Sequence, residues 1–164
     1  MYYTNKETFV LSADGCMDTE RGGLESILAG NDEGAKGCCF SVAMSADGIA
    51  VLSSDGCAAA PDGTRLPVSD YSYAELHQAA PQLTPVSQAI ELARTCQGKI
   101  AITVHDQTML RQLRMTLRYA DCLDDTIIIG LGLVEAARVA SANPDLHIMG
   151  AVSYTHLRAH ETLR

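Results

Sequence analysis

Ile100-Ala-Ile-Thr-Val104, the helix-periodic run from Thr108 to Ala120, and Thr126-Ile-Ile-Ile129 form the stretch whose reading decides the fold. Two continuous apolar, β-branched runs separated by a segment too long for a hairpin read as a strand, a crossover helix and a parallel strand buried on both faces. The unit repeats outward. Leu133 to Ala142 reads as a helix and Leu146-His-Ile-Met149 as a strand on one side. On the other side lie Pro85 to Thr95, a helix with Pro at its first turn, and Ser72 to Ala79, another helix. Alternating helices and mostly parallel strands make an α/β chain, and right-handed βαβ units of this kind build an open doubly wound sheet or a (β/α) barrel.

The N-terminal part carries a different rhythm. Thr8 to Ala13 reads as a strand closed by a turn at Asp14-Gly15, and Leu24, Ile27, Leu28 and Ala35 are spaced as the apolar stripe of a helix. Cys38 to Met44 is a strand. Ala46-Asp-Gly48 then turns directly into Ile49 to Ser53, which is too short a connection for a crossover, so this pair is expected as a local hairpin. Asp55 to Asp70, rich in Gly, Pro, Ala and Asp, reads as loop.

Composition narrows the function classes. The chain has 164 residues, a formal net charge of −8, and 12 Lys plus Arg against 20 Asp plus Glu. On that balance no basic stripe is expected, which argues against nucleic acid and anionic membranes as partners. No run of ~18 apolar residues occurs, so no membrane segment is expected. The six cysteines, Cys16, Cys38, Cys39, Cys57, Cys96 and Cys122, lack the spacing of a stapled small domain and are expected as free thiols in the cytoplasm.

Val152-Ser-Tyr-Thr-His-Leu-Arg-Ala-His-Glu-Thr162 breaks the alternating pattern and resembles a translated sequencing adaptor. The expectation is therefore a domain over residues 1–151 and a non-native tail over 152–164, set aside before fold reasoning. The competing reading is a genuine helix with His156 and His160 spaced as metal ligands.

A series of short motifs runs through the rest. Ala13-Asp14-Gly15 ends the first strand, Glu20 to Gly23 leads into the helix, and Gly34-Ala35-Lys36 precedes the next strand with its Cys39-Phe40-Ser41. Ser45-Ala46-Asp47-Gly48 forms the turn, Ser54-Asp55 ends the following strand, and Gly63, Val68-Ser69-Asp70 and Tyr73-Ala74-Glu75-Leu76 come next. Ile102-Thr103-Val104-His105 lies on the later strand. From about Phe9 to Gly150 this series resembles the glycerophosphodiester phosphodiesterase family. The resemblance implies an incomplete (β/α) TIM-type barrel of about six strands, since such a barrel typically needs ~250 residues.

What the resemblance preserves is turns and packing; what it loses is chemistry. Active members use two His as acid and base, and Ala13 and Ser54 stand at those places. They hold a divalent Mg or Ca ion with two Glu and one Asp, where this chain has Cys39, Ser41 and Thr103. Asp14 and His105 replace an Arg and a Lys that face the phosphate, and Asp55 keeps the family residue. Alanine has no proton to transfer, and neutral hydroxyls do not substitute for the anionic oxygens that hard cations require. No cofactor is therefore expected. Asp14, Asp55 and His105 remain candidate binding residues, with Asp55 equally readable as a turn residue.

Replacement chemistry has two forms. Cys39, Ser41, Thr103 and His105 alternate along two strands, so they share the barrel interior, with Cys16 and Cys57 on nearby loops. That grouping is compatible with a soft zinc site, although no paired Cys-x-x-Cys spacing supports it. A Cys39/His105 nucleophile pair is the other form, without an identifiable third group. Glu75 and His77 read as solvated helix positions. Gly130-Leu-Gly132 lacks the third glycine and the ribose-binding acid of a dinucleotide fingerprint.

The resulting expectation is a phosphodiesterase-like domain that has lost catalysis. Its partner would be a polar small molecule or a competent domain of a longer protein. The alternative is an active phosphoric diester hydrolase that cleaves glycerophosphodiesters to glycerol 3-phosphate and an alcohol.

Overall fold

A computed structural model describes residues 10–150, Gln97 excepted. The residues assigned above to an adaptor tail, and Thr8 and Phe9 of the first strand, lie outside the described residues. In chain order the strands are β1 (Ser12–Ala13), β2 (Gly37–Met44), β3 (Ala50–Leu52), β4 (Cys57–Ala59), β5 (Arg65–Pro67), β6 (Lys99–Thr103), β7 (Thr126–Ile129) and β8 (His147–Ile148). The α-helices are α1 (Glu25–Asp32), α2 (Tyr73–Ala79), α3 (Val86–Thr95), α4 (Leu110–Tyr119) and α5 (Leu133–Ala142).

The main sheet has the order β1-β2-β6-β7-β8, all parallel, with β3 antiparallel to the far end of β2. Crossovers through α3, α4 and α5 put those helices on one face. Among the described residues the sheet does not close: β1 and β8 are its two ends, and each pairs with one neighbour. This is the expected incomplete barrel.

Strand periodicity separates two faces. Cys38, Phe40, Ile100, Ile102 and Ile128 point to the helices and are at most 4% exposed. There they meet Ala89, Ile90 and Ala93 of α3, Leu113 and Leu117 of α4, and Ala136 and Val139 of α5 in one core cluster. A second cluster joins Val51, Val68, Leu76, Ala80 and Leu83 around the β2–β3 hairpin and α2. Helix α2 starts on a capping box. The Glu75 amide donates to the Ser72 hydroxyl, and the Glu75 carboxylate accepts from the Ser72 amide at 2.9 Å.

Three sequence expectations are corrected. The segment from Asp55 to Asp70 is not plain loop, since β4 and β5 form an antiparallel hairpin within it, followed by a 3₁₀ turn at Val68–Asp70. Its turn residues are real, but they sit between two very short strands. In α1 the expected stripe holds for Ile27, which is in the core, and for Leu24, which packs against it, but not for Leu28. Leu28 is 47% exposed, while Ser26 and Gly30 are buried. The reason is steric: a Cβ on Gly30 would lie 2.1 Å from the Ser12 Cβ, so α1 reaches β1 only through a glycine. Finally, the charge balance hid a basic stripe. Arg111, Arg114 and Arg118 on α4 share one groove with Arg138 of α5.

Candidate functional site

Parallel strands place their C-terminal ends together, and loops leaving those ends build the mouth of a barrel. In register, Ala13 of β1 lies beside Cys39 of β2, and Ser41 beside Thr103 of β6. All four share the face away from the helices, as the alternation predicted. The Cys39 thiol and the Thr103 hydroxyl are 3.8 Å apart across the two strands, within the range of a weak sulfur hydrogen bond. Cys39, Ser41 and Thr103 are half-buried and Ala13 is exposed, because no strand covers this face opposite them among the described residues. Cys38 points the other way, as expected for adjacent strand residues.

The two aspartates at the mouth have internal partners. Asp14 accepts a hydrogen bond from the Gly22 amide at 2.8 Å, which fastens the loop that leads into α1. Asp55 accepts from the Cys57 amide at 3.0 Å and from the Ser53 hydroxyl at 3.4 Å, and it forms an ion pair with Arg65 of β5. Asp55 is thus a turn residue as well as a rim residue, in line with the turn reading. Ser54 is exposed just after β3, and His105 is exposed two residues beyond β6. Glu75 and His77 are solvated, with the His77 ring stacked on Tyr73 at 5.6 Å.

Ser54 and Asp55 open onto a cleft of about 350 Å³ whose other polar walls come from Glu20, Arg21, Arg65 and Gln82. Sequence reasoning missed Arg21, Arg65 and Gln82. Arg65 lay in a segment read as loop, and the β4–β5 hairpin is what carries its guanidinium back to Asp55. Gln82 is fixed by its amide, which donates to the Ala59 carbonyl. Two cations and two carboxylates line the cleft, so it offers paired polar groups and no net charge.

The replacement chemistries can be set against this geometry. Among the described residues no group of three or more His, Cys, Asp or Glu converges on one point. Cys16 is turned into its own loop, with the thiol donating to the Ser26 carbonyl at 3.4 Å. The contact of Cys39 is to Thr103, a hydroxyl that does not accept a proton at neutral pH as an imidazole would. Nor do the residues fit a hard divalent cation, since Cys39, Ser41 and Thr103 supply one soft and two neutral donors where Mg²⁺ or Ca²⁺ needs carboxylates. Gly130 is explained by packing: it has φ +101°, and a Cβ there would lie 2.4 Å from the Val104 carbonyl oxygen.

No family model and no curated protein matches the sequence. Solved structures do. A glycerophosphoryl diester phosphodiesterase domain from Mycobacterium tuberculosis is 16% identical, with a TM-score of 0.72 over 88% of this chain and 60% of that one. A glycerophosphodiester phosphodiesterase from Agrobacterium tumefaciens is 15% identical, with a TM-score of 0.72 over 87% of this chain and 66% of its own. An Oleispira antarctica phosphodiesterase, solved in complex with the product sn-glycerol-3-phosphate, is 15% identical, with a TM-score of 0.68 over 85% and 65%. The chain thus spans about 60% of the Mycobacterium domain. Among the described residues no helix is long and apolar enough to cross a membrane. The parallel sheet, its outer helices and these superpositions agree on one architecture: the chain has the fold of the glycerophosphodiester phosphodiesterases.

Proposed function

We propose that this chain is a phosphodiesterase-like domain without phosphodiesterase catalysis, acting as a binding module for a polar small molecule or a partner domain of a longer protein. The observation that carries the reading is the set of side chains on the inward face at the strand ends. They are a methyl group at Ala13, a thiol at Cys39 paired with a hydroxyl at Thr103, and a second hydroxyl at Ser41. None has the charge to hold a divalent cation against a phosphate, and none is a base at neutral pH. The cleft beside them, with Arg21 and Arg65 offset by Glu20 and Asp55, suits a neutral or zwitterionic polar ligand better than a phosphodiester anion. The free cysteines support a reducing compartment such as the cytoplasm.

The test is direct. The purified chain is incubated with glycerophosphocholine and Mg²⁺ or Ca²⁺, and released choline is measured. The expected result is no release above the protein-free blank; release that a chelator abolishes would establish the hydrolase and overturn the proposal. A second arm restores charge through Cys39→Glu, Ser41→Asp and Thr103→Glu, with folding followed by circular dichroism. Folded variants are expected to take up Ca²⁺ in calorimetry where the parent does not. Folded variants without uptake would show that these positions do not form the ion cradle.

A further inference from the structure

In a chain of net charge −8, four of the arginines gather in one place. Helices α4 and α5 stand apart on the outer surface and leave between them a groove of about 530 Å³. Arg111, Arg114 and Arg118 form one wall, at i, i+3 and i+7 of α4, and Arg138 of α5 rises from the other. The exposed apolar part of the lining is Met115, which is 60% exposed, together with Ala142, while Leu110 and Val139 are buried.

These arginines are not occupied alike. Arg114 is committed to the fold. Its guanidinium donates to Asp145 at 2.9 Å and reaches the same oxygen by a second nitrogen at 2.7 Å, with Asn143 at 3.4 Å. Arg111, Arg118 and Arg138 are exposed and form no ion pair among the described residues. Arg118 is partly offset by Asp145 and the acidic hollow that it also borders, whereas Arg111 and Arg138 add like charge along the groove and raise its potential, a cost that an anion in the groove would remove.

We infer that the α4–α5 groove is a docking site for a short acidic, amphipathic segment of a partner protein. Charge complementarity sets the sign, because planar guanidinium forks match carboxylates in pairs. The apolar lining sets the character. A naked inorganic anion would leave the exposed Met115 and Ala142 uncovered, whereas leucine-like side chains of an amphipathic helix would cover them. The ends set the length. Arg111 to Arg118 spans about 10 Å of helix axis, or two turns. Beyond Arg118 the surface turns acidic, with Asp121, Asp124 and Asp125 around a neighbouring hollow. A longer acidic ligand would run into those carboxylates. The same carboxylates, set in a surface of net negative charge, make a flat anionic membrane a poor fit.

The experiment uses the full chain and a fluorescein-labelled peptide of Glu and Leu, about two helical turns long and patterned to be amphipathic, read by fluorescence anisotropy. A Lys/Leu peptide of the same pattern, inorganic triphosphate and phosphatidylserine vesicles are run beside it. The Glu/Leu peptide is expected to bind, and to bind more weakly as salt rises. Arg111→Gln and Arg138→Gln are each expected to weaken it about tenfold, equivalent to ~1.4 kcal/mol, while Lys36→Gln, equal in charge change but outside the groove, leaves it unaltered. All three side chains are exposed, and circular dichroism confirms that the variants fold. The inference is overturned if the peptide does not bind, or if the groove variants bind it as the parent does. Binding of triphosphate or vesicles in its place, lost in Arg111→Gln, would also overturn it. So would self-association of the chain that this substitution abolishes, since the occupant would then be a second copy.

Discussion

Cys38 and Cys39 are adjacent in sequence, yet the strand sends one into the core and the other to the open face. Burial, with smaller contributions from the neighbouring Cys39 and Cys96, pushes the Cys38 thiol up to about 12, and burial likewise raises Cys122. The thiolate is the reactive form, so neither thiol should react while the chain is folded. Brief iodoacetamide treatment at pH 8, followed by peptide mass spectrometry, is expected to leave Cys38 and Cys122 unmodified until denaturant is added. Labelling of Cys38 in the folded chain would contradict its placement. The same shift has a stability sign. The folded state holds this proton more tightly than the unfolded state, so the unfolding free energy should fall as pH rises past about 9. Asp145 acts at the other end of the scale. The hydrogen bond from Arg114 holds its carboxyl below the usual carboxylate range, and Arg118 adds to this. The stabilisation is therefore complete above the unfolded carboxyl value of about 4 and is lost as pH falls through the lower folded value. Asp145→Asn is expected to lower the melting temperature at pH 7, and the gap between variant and parent should narrow as pH falls below about 4 through the lowered folded value.

At the scale of elements, legibility followed the strength of the periodic signal. Strand β7 and helix α5 have the bounds that the sequence predicted, because Thr126 to Ile129 is uninterrupted β-branched sequence and Leu133 to Ala142 is an unbroken helical run. The β4–β5 hairpin was hidden by its three-residue strands, too short for alternation to register among Gly, Pro and Asp. The arrangement of α1 was hidden for another reason. Ile27 anchors that helix in the core as its pattern suggests, but its approach to β1 depends on Gly30, and a glycine carries no hydrophobic signal. The candidate site divides along the same line. Strand alternation put Cys39, Ser41 and Thr103 on one face, whereas Arg21, Arg65 and Gln82 reach the cleft through tertiary placement that no local pattern encodes. The α1 contact yields a prediction. Gly30→Ala places a Cβ 2.1 Å from the Ser12 Cβ and should cost ~1–3 kcal/mol in urea denaturation, the range for overpacking. Because the clash is with one side chain, Gly30→Ala combined with Ser12→Gly should recover part of that loss, a coupling that independent sites would lack. Additive losses in the double variant would mean that Gly30 matters for its backbone rather than for the contact.

For the whole molecule the decisive feature is a parallel sheet with two ends. Strands β1 and β8 each leave one row of backbone groups without a strand partner among the described residues. The inward face also exposes Ala13 and half-exposes Ile127 and Ile129. Free edges template pairing with other chains unless charge or cover prevents it. Here both edge strands are only two residues long, which limits the template, and the net charge of −8 keeps copies apart at neutral pH. That repulsion disappears where the charge does. The sequence isoelectric point is about 4.9, so protonation toward pH 5 removes the barrier while the edges and the apolar face stay in place. Salt acts in the same direction by screening, with a Debye length that shrinks from ~10 Å at 0.1 M to ~3 Å at 1 M. Sedimentation velocity is therefore expected to show one concentration-independent species at pH 8 and low salt. Association should grow with loading concentration near pH 5, and to a lesser degree at pH 8 in 1 M salt. A species that stays monomeric at pH 5 over the same concentrations would mean that the open edges do not govern self-association.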